Sequence, residues 1–407
     1  MRTLVVMLIA FGLLAGSCGR DDPGIAALPP ADALTQQAVA GAVNELGFDL
    51  LHELARDDGN TVVSPLSAST MLGMLLAGAR GETATAIADT LHVEPGPATS
   101  AAYAALLSEL GAPADVELAV ANSLWAAPGF PLEPDFVDVM GDAFQATLDE
   151  VDLGSQAGAD RIDAWADEHT NGLIQRFADA LGLPDPQAVL VLLNAVYFKG
   201  EWTIPFEPAL TFDRPFTTGD GREVTVPMMH GHDTFAMGSR DGSTVLRMPY
   251  GDDERFAMHI FLPNRRTDLR DLVSELDASA WRAATTNLQT EGIDVEMPRL
   301  DLAFRVTLNE TLEALGMGMA FSDSDYTGLS SANPDLTVVA QEARLIVNEE
   351  GTEAAAVTGG VMTVSARPTF TVDRPFLFTI SDSADETGVI LFMGTVTDPT
   401  IERTEVD

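Results

Sequence analysis

From Leu336 to Val347 the residues are rich in β formers and predict a strand. The pattern then changes. Small residues dominate from Gly351 to Gly360, with no proline and no large side chain, and an apolar run follows, Val361-Met362-Thr363-Val364-Ser365-Ala366. Two conformations suit this stretch. Helix propensity in Glu353-Ala354-Ala355-Ala356 favours a surface helix. As an extended strand, Thr352, Ala354, Ala356, Thr358, Gly360, Met362 and Val364 share one face, and Glu353, Ala355, Val357 and Gly359 share the other. Upstream, the apolar stripe Met71, Leu72, Met74, Leu75 and Leu76 reads as core.

Further segments decide between the two. Asn348-Glu349-Glu350-Gly351-Thr352-Glu353-Ala354-Ala355-Ala356 resembles the hinge of a serpin, a family of suicide-substrate protease inhibitors. Asn60-Thr61-Val62-Val63-Ser64-Pro65-Leu66-Ser67, followed by Met71 to Thr83, is similar to the serpin strand and buried helix below the main sheet. Asn194-Ala195-Val196-Tyr197-Phe198-Lys199-Gly200-Glu201-Trp202 is similar to its third sheet strand. Arg374 to Phe378 and Gly388 to Gly394 are similar to its C-terminal hairpin. Smaller matches at Thr170 to Ile174, Met297 to Leu300 and Leu315 to Met317 keep the family's order. The resemblance implies an α+β serpin fold. Such a fold has a large, mostly antiparallel central sheet with surrounding helices, a barrel-like second sheet and an exposed reactive loop.

The resemblance also implies how the chain works. The target protease supplies the catalysis, so the chain is an inhibitor and not an enzyme. It forms a covalent complex with a serine protease and works as a monomer without a cofactor. Counting forward from Gly351, as inhibitory members do, places the scissile bond at Ser365-Ala366; counting back from Arg374-Pro375-Phe376 places it at Val364-Ser365. These small residues suit the shallow primary pocket of an elastase-like or subtilisin- or chymotrypsin-like enzyme. Arg367 is poor trypsin bait because Pro368 follows it.

The hinge comprises Glu350, Gly351, Thr352, Glu353, Ala354, Ala355 and Ala356. A strand entering a packed sheet needs small side chains, because interiors are close-packed. A charge or proline at Thr352 or Ala354 would oppose insertion, through buried charge or a lost ladder donor. Small residues there favour inhibition over the alternative, a non-inhibitory serpin acting as a carrier or binding protein. The resemblance assigns Ser64, Ser67 and Asn194 to a polar cluster where the sheet opens. Where the family commonly has histidine, this chain has Gln341. Glutamine donates and accepts but does not titrate near neutral pH.

The N-terminus changes the setting. Met1-Arg2 precedes an apolar run from Leu4 to Ala15, too short to span a bilayer and suited to an export signal. Cys18, the only cysteine, follows Leu14-Ala15-Gly16-Ser17 and resembles a bacterial lipobox cysteine, so lipidation there is expected. The expected organisation is an export signal over 1–18, a flexible tether over 19–34, one domain over 35–400 and a tail over 401–407. The product is exported, extracellular or held at the cell envelope, with membrane contact only through a lipid anchor. One cysteine excludes a disulfide framework.

The formal charge is −40, with 62 acidic against 22 basic residues. Such a surface repels phosphate backbones, so nucleic acid is not an expected partner. No Lys or Arg lies between Arg80 and Arg161, so no heparin-like polyanion is expected either. His230-Gly231-His232-Asp233 reads as a polar loop, not a metal site. Asp323-Ser324-Asp325-Tyr326-Thr327-Gly328 has calcium-loop spacing, but Pro334 stands where the closing glutamate belongs. No Gly-x-Ser-x-Gly or P-loop pattern occurs.

Overall fold

The computed structural model describes residues 28, 33–55, 59–112, 115–240, 242–352, 368–383 and 388–406. Three sheets organise them. The largest contains β1 (Thr61–Val63), β5 (Phe212–Thr217), β6 (Glu223–Arg240), β7 (Ser243–Tyr250), β8 (Phe256–Pro263), β9 (Gln289–Pro298), β13 (Thr369–Thr371), β14 (Phe376–Asp382) and β15 (Val389–Val396). Their order is β1-β15-β14-β8-β7-β6-β9-β13, with β5 beside β6. Every residue of β8, β14 and β15 is buried, which explains their near-continuous apolar sequence. The antiparallel β14–β15 pair is the expected C-terminal hairpin.

A four-stranded sheet has the order β12-β4-β2-β3, from β2 (Val116–Ala126), β3 (Thr147–Glu150), β4 (Leu190–Glu201) and β12 (Gly351–Thr352). A three-stranded sheet has the order β11-β10-β16, from β10 (Leu300–Thr307), β11 (Ala340–Val347) and β16 (Arg403–Val406). Among the described residues no ladder joins β4 to β11; the chain crosses between them only at the turn into Gly351. Within the segment expected as a C-terminal tail over 401–407, β16 runs parallel to β10 and caps that strand's otherwise open edge.

Helix α1 (Ala33–Leu54) packs on α2 (Pro65–Gly78) and on β15. The Ser64 side chain caps α2 by accepting from Ser67 N at 3.2 Å, and Pro65 occupies the first turn, where its missing N–H costs nothing. Most of α2 is buried, as its apolar composition requires. Met71 is partly exposed while Leu72, Met74, Leu75 and Leu76 are buried. After α3 (Gly81–Thr90), α4 (Pro97–Leu110) and α5 (Pro134–Phe144), helix α6 (Gln156–His169) covers the outer face of the four-stranded sheet. It buries Ile162, Trp165 and Ala166 in one satellite cluster with Val191, Leu193 and Ala195 of β4. The opposite face of β4 carries Asn194, Val196 and Phe198 toward the main core. Two short helices, α7 (Leu269–Glu275) and α8 (Ala278–Thr286), complete the packing around β8 and β14.

Candidate functional site

The site begins at the end of β11. Asn348 N donates to Gly351 O at 2.9 Å, and the Asn348 side-chain oxygen accepts from Glu350 N at 3.0 Å and Gly351 N at 3.3 Å. This tight turn sends the chain onto β4, with Gly351 opposite Glu201 and Thr352 opposite Gly200. Gly351 has φ +147°, and a Cβ there would lie 2.0 Å from the Gly200 carbonyl oxygen. Only glycine fits that approach.

Aromatic residues and one ion pair hold the turn. Trp202 N donates to Glu350 O at 2.7 Å, and its indole Nε1 donates to Asn348 O at 3.0 Å. Trp202 stacks on Tyr250 with ring centroids 4.4 Å apart. The Tyr250 hydroxyl lies 3.0 Å from Thr352 Oγ1, so the buried hinge threonine is already seated on the core face. Arg299 Nε donates to both Glu349 carboxylate oxygens at 2.9 Å, and the Thr211 hydroxyl donates to Glu349 Oε1. Burial opposes the charge on Glu349, but the hydrogen bonds from Arg299 and Thr211 outweigh it and hold the carboxyl below its usual range.

Lower down, a small cavity separates the facing edges of β4 and β11. Ser67, Trp165, Asn194 and Gln341 are among its lining residues. Gln341 Oε1 accepts from Ser64 N at 3.1 Å, and Gln341 Nε2 donates to Ser64 O at 2.9 Å. Asn194 turns the other way. Its Nδ2 donates to Asn122 Oδ1 at 2.7 Å, and Asn122 Nδ2 donates to Phe144 O at 2.6 Å. Asn194 Oδ1 is buried without a hydrogen-bond partner, and so is Trp165 Nε1. Two unsatisfied polar atoms at one strand gap are unusual, because buried polar groups are nearly always paired.

The residues Ser64, Ser67, Asn194 and Gln341 therefore meet around one gap, in two separate hydrogen-bonded groups. Glu350, Gly351 and Thr352 form the turn above it. Glu353, Ala354, Ala355, Ala356, Val364, Ser365 and Ala366 lie outside the described residues, as does Cys18. The described chain resumes at Pro368, whose carbonyl accepts from Asp294 N at 3.0 Å before β13 runs parallel to β9. Sequence reasoning missed Asn122, Arg299, Trp202 and Tyr250 as partners of the site. A signal existed for Asn122, an amide within the otherwise mostly apolar strand segment Ala119 to Trp125.

The polar-loop reading of His230 to Asp233 is corrected. These residues lie inside β6, with His230 opposite Glu296 and His232 opposite Asp294. His232 Nδ1 meets Asp294 Oδ1 at 2.7 Å. Among the described residues no group of three or more His, Cys, Asp or Glu side chains is arranged to hold a metal ion. Asp323 to Gly328 form a loop in which Asp325 accepts from Thr327 N at 3.1 Å.

The chain is similar to known proteins in sequence and fold. The profile of the Serpin (serine protease inhibitor) family matches residues 41–399. Iripin-8 of Ixodes ricinus is 35% identical, covering 88% of this chain and 93% of its own. The leukocyte elastase inhibitor of Xenopus tropicalis is 32% identical, covering 89% and 99%. Among solved structures, human thyroxine-binding globulin superposes with a TM-score of 0.81 at 26% identity, covering 90% of this chain and 100% of its own. The match to the family profile over most of the chain and these likenesses together place the chain in the serpin family of serine protease inhibitors.

Proposed function

We propose that this chain is a suicide-substrate inhibitor of serine endopeptidases of the elastase or subtilisin/chymotrypsin kind. The observation that carries the reading is the edge of β4 between Leu190 and Lys199 toward β11, which has no ladder partner among the described residues, with Gly351 and Thr352 in register at its top. Continuing that register sets Ala354 opposite Phe198 and Thr358 opposite Asn194. The turn that pairs Asn348 with Gly351 sets the same strand against β11, with Thr358 opposite Gln341. Unlike a helix, an added strand would supply partners to both open edges.

The chemical step belongs to the target. Its serine oxygen attacks the carbonyl carbon of Ser365, or of Val364 in the alternative register. The peptide bond to the next residue breaks, a new amino terminus departs, and an ester joins the inhibitor to the protease. Insertion of the loop then carries the ester-linked enzyme away. Small displacements of catalytic groups are enough to stall deacylation.

Incubation of the soluble protein with an elastase, a subtilisin, a chymotrypsin and a trypsin tests the proposal. A complex that survives boiling, with release of a peptide starting at Ala366 or Ser365, is the expected result. Clean loop cleavage with no complex and no gain in thermal stability overturns it. That outcome favours a ligand carrier, for which the likeness to thyroxine-binding globulin is the supporting observation. The apolar run before Cys18 supports export with lipid attachment at that cysteine, which intact mass of the envelope-extracted protein tests.

A further inference from the structure

Between α7 and the start of β14 lies a cleft of about 410 Å³. Its walls are the turn between β5 and β6, the loop from β8 into α7, the residues before β14, the end of β15, and Ala55 after α1. Direct bonds fix these walls. Gly219 N donates to Thr397 O at 2.9 Å, Thr217 N to Asp373 O at 2.9 Å, and Arg374 Nε to Pro263 O at 2.9 Å. A cleft so braced exists before any ligand arrives, which lowers the ordering cost of binding.

The charged residues of the lining are Arg270, Arg374 and Asp268, two cations to one anion, whereas the sequence has 62 acidic to 22 basic residues. Asp268 is engaged as the cap of α7, accepting from Arg270 N at 2.9 Å. Asp373 meets both Arg265 and Arg374, so that triad keeps one net positive charge. The Arg374 side chain is 20% exposed. Its Nε and Nη1 are engaged, but its Nη2 has no hydrogen-bond partner among the described residues. Thr395 is only 3% exposed, yet its hydroxyl has no partner among them either, and neither has that of Thr267.

Buried polar groups are nearly always paired, so this lining presents donors without an acceptor. A guanidinium edge and hydroxyls held in place suit a carboxylate. A dianion would also face Asp268 and Asp373, which favours a single charge. Leu269, Val273, Ala55 and Pro375 make the rest of the wall apolar, a surface for a hydrocarbon body.

We propose that this cleft is a binding site for a small organic monocarboxylate, whose carboxylate accepts from Arg374 Nη2 and the Thr395 hydroxyl while its apolar body lies on Leu269 and Val273. The site shares no lining residue with the turn at Gly351 or with the gap at Gln341, and the inference does not rest on loop insertion.

The probe is 4-phenylbutyrate, titrated calorimetrically into the soluble native protein at neutral pH and low salt, beside its neutral amide and inorganic sulfate. Saturable binding of one probe per chain is expected, with the amide at least about tenfold weaker and sulfate failing to compete at equal concentration. Arg374→Gln is expected to weaken the probe about tenfold. Thr395→Val keeps the shape, removes only the hydroxyl, and is expected to weaken it about threefold. Arg374 also braces Pro263, so melting curves without probe check the fold of each variant, and Thr395→Val decides if Arg374→Gln does not fold. A crystal soaked with the probe should show its carboxylate against Arg374.

No saturable binding below about 5 mM, equal binding of acid and amide, or wild-type affinity in the folded variants overturns the proposal. So does sulfate that displaces the probe at equal concentration, since that marks a bare anion point and not a site for an organic acid.

Discussion

Gln341 binds the backbone of Ser64 twice, accepting from its N–H and donating to its carbonyl. One side chain from the strand before the hinge thus closes both main-chain groups at the N-cap of the buried helix α2. A histidine could not satisfy both groups in this coplanar way, since its two ring nitrogens point apart.

Gln341→Ala is therefore expected to leave the buried Ser64 N–H unpaired and to remove one of the two bonds to Ser64 O, which still accepts from Ala68 N, and so to destabilise the native state by about 1–3 kcal/mol. Gln341→Leu should cost a similar amount, because it fills the volume without restoring the bonds. Denaturant unfolding of the native form checks this. A loss below about 0.5 kcal/mol would mean that water replaces the amide.

Gln341→His is expected to add a pH response to sheet opening that wild type lacks at this position, since only histidine titrates near neutrality. Unfolding kinetics from pH 5 to 8 on both proteins check it. A steep wild-type response that the histidine fails to enlarge would sink the idea.

Thr352 is buried against Tyr250, so Thr352→Arg is expected to keep the native fold by leaving the sheet, yet to block insertion. The variant should be cleaved by the target with little or no covalent complex. A mass spectrum and denaturing gel of the products decide the matter; undiminished complex would mean that the hinge does not insert past Thr352.

Asn194 Oδ1 is buried and unpaired. If the loop inserts as proposed, continuing the register of Thr352 on Gly200 brings the Thr358 hydroxyl to the level of Asn194. Thr358→Val is expected to lower the stability of the cleaved form by about 1–2 kcal/mol and to leave the native form untouched. Calorimetry of both forms separates the two, and a loss in the native form would show that the threonine acts elsewhere.

These expectations depend on features that were unequally legible. Gly351 could be read as a hinge from the chain because small residues follow it and a strand precedes it; the structure adds that its missing Cβ lets it pass the Gly200 carbonyl. Ser64, Asn194 and Gln341 could be named from family resemblance, but their partners could not. Asn122 meets Asn194 only through β2–β4 register, and Arg299 meets Glu349 across fifty residues of sequence. His230 to Asp233 read as a loop because Gly and Asp are turn formers, whereas β9 holds the segment in a long antiparallel ladder. Arg403 to Val406 lacks a strand-like apolar pattern, and its pairing comes from the exposed edge of β10.

The last prediction concerns acid. His259 lies buried in β8, opposite Arg247 of β7 and Thr379 of β14, with the Trp281 ring of α8 against its edge. Its Nδ1 has no partner. Burial, aided by the charge of Arg247, pushes its pKa down from 6.5 to about 3. A lowered histidine pKa means that the unfolded chain binds the proton first. The associated stability is therefore present above pH 6.5 and is lost as pH falls toward 3. From pH 6.5 to pH 5 the loss is about 2 kcal/mol. His92 works with the opposite sign. Its hydrogen bond to Asp49, and the nearby charges of Asp49 and Glu45, raise its pKa, so its contribution is present at low pH and fades as pH rises. Because that group is about a third exposed, solvent screening makes it the smaller of the two. His259→Leu is accordingly expected to flatten the acid slope of unfolding free energy between pH 6.5 and 4.5, at little cost at pH 8. His92→Gln should leave that slope in place. An unchanged acid slope in His259→Leu would mean that carboxylate pairs such as Arg299–Glu349, and not the buried imidazole, set the acid limit of this fold.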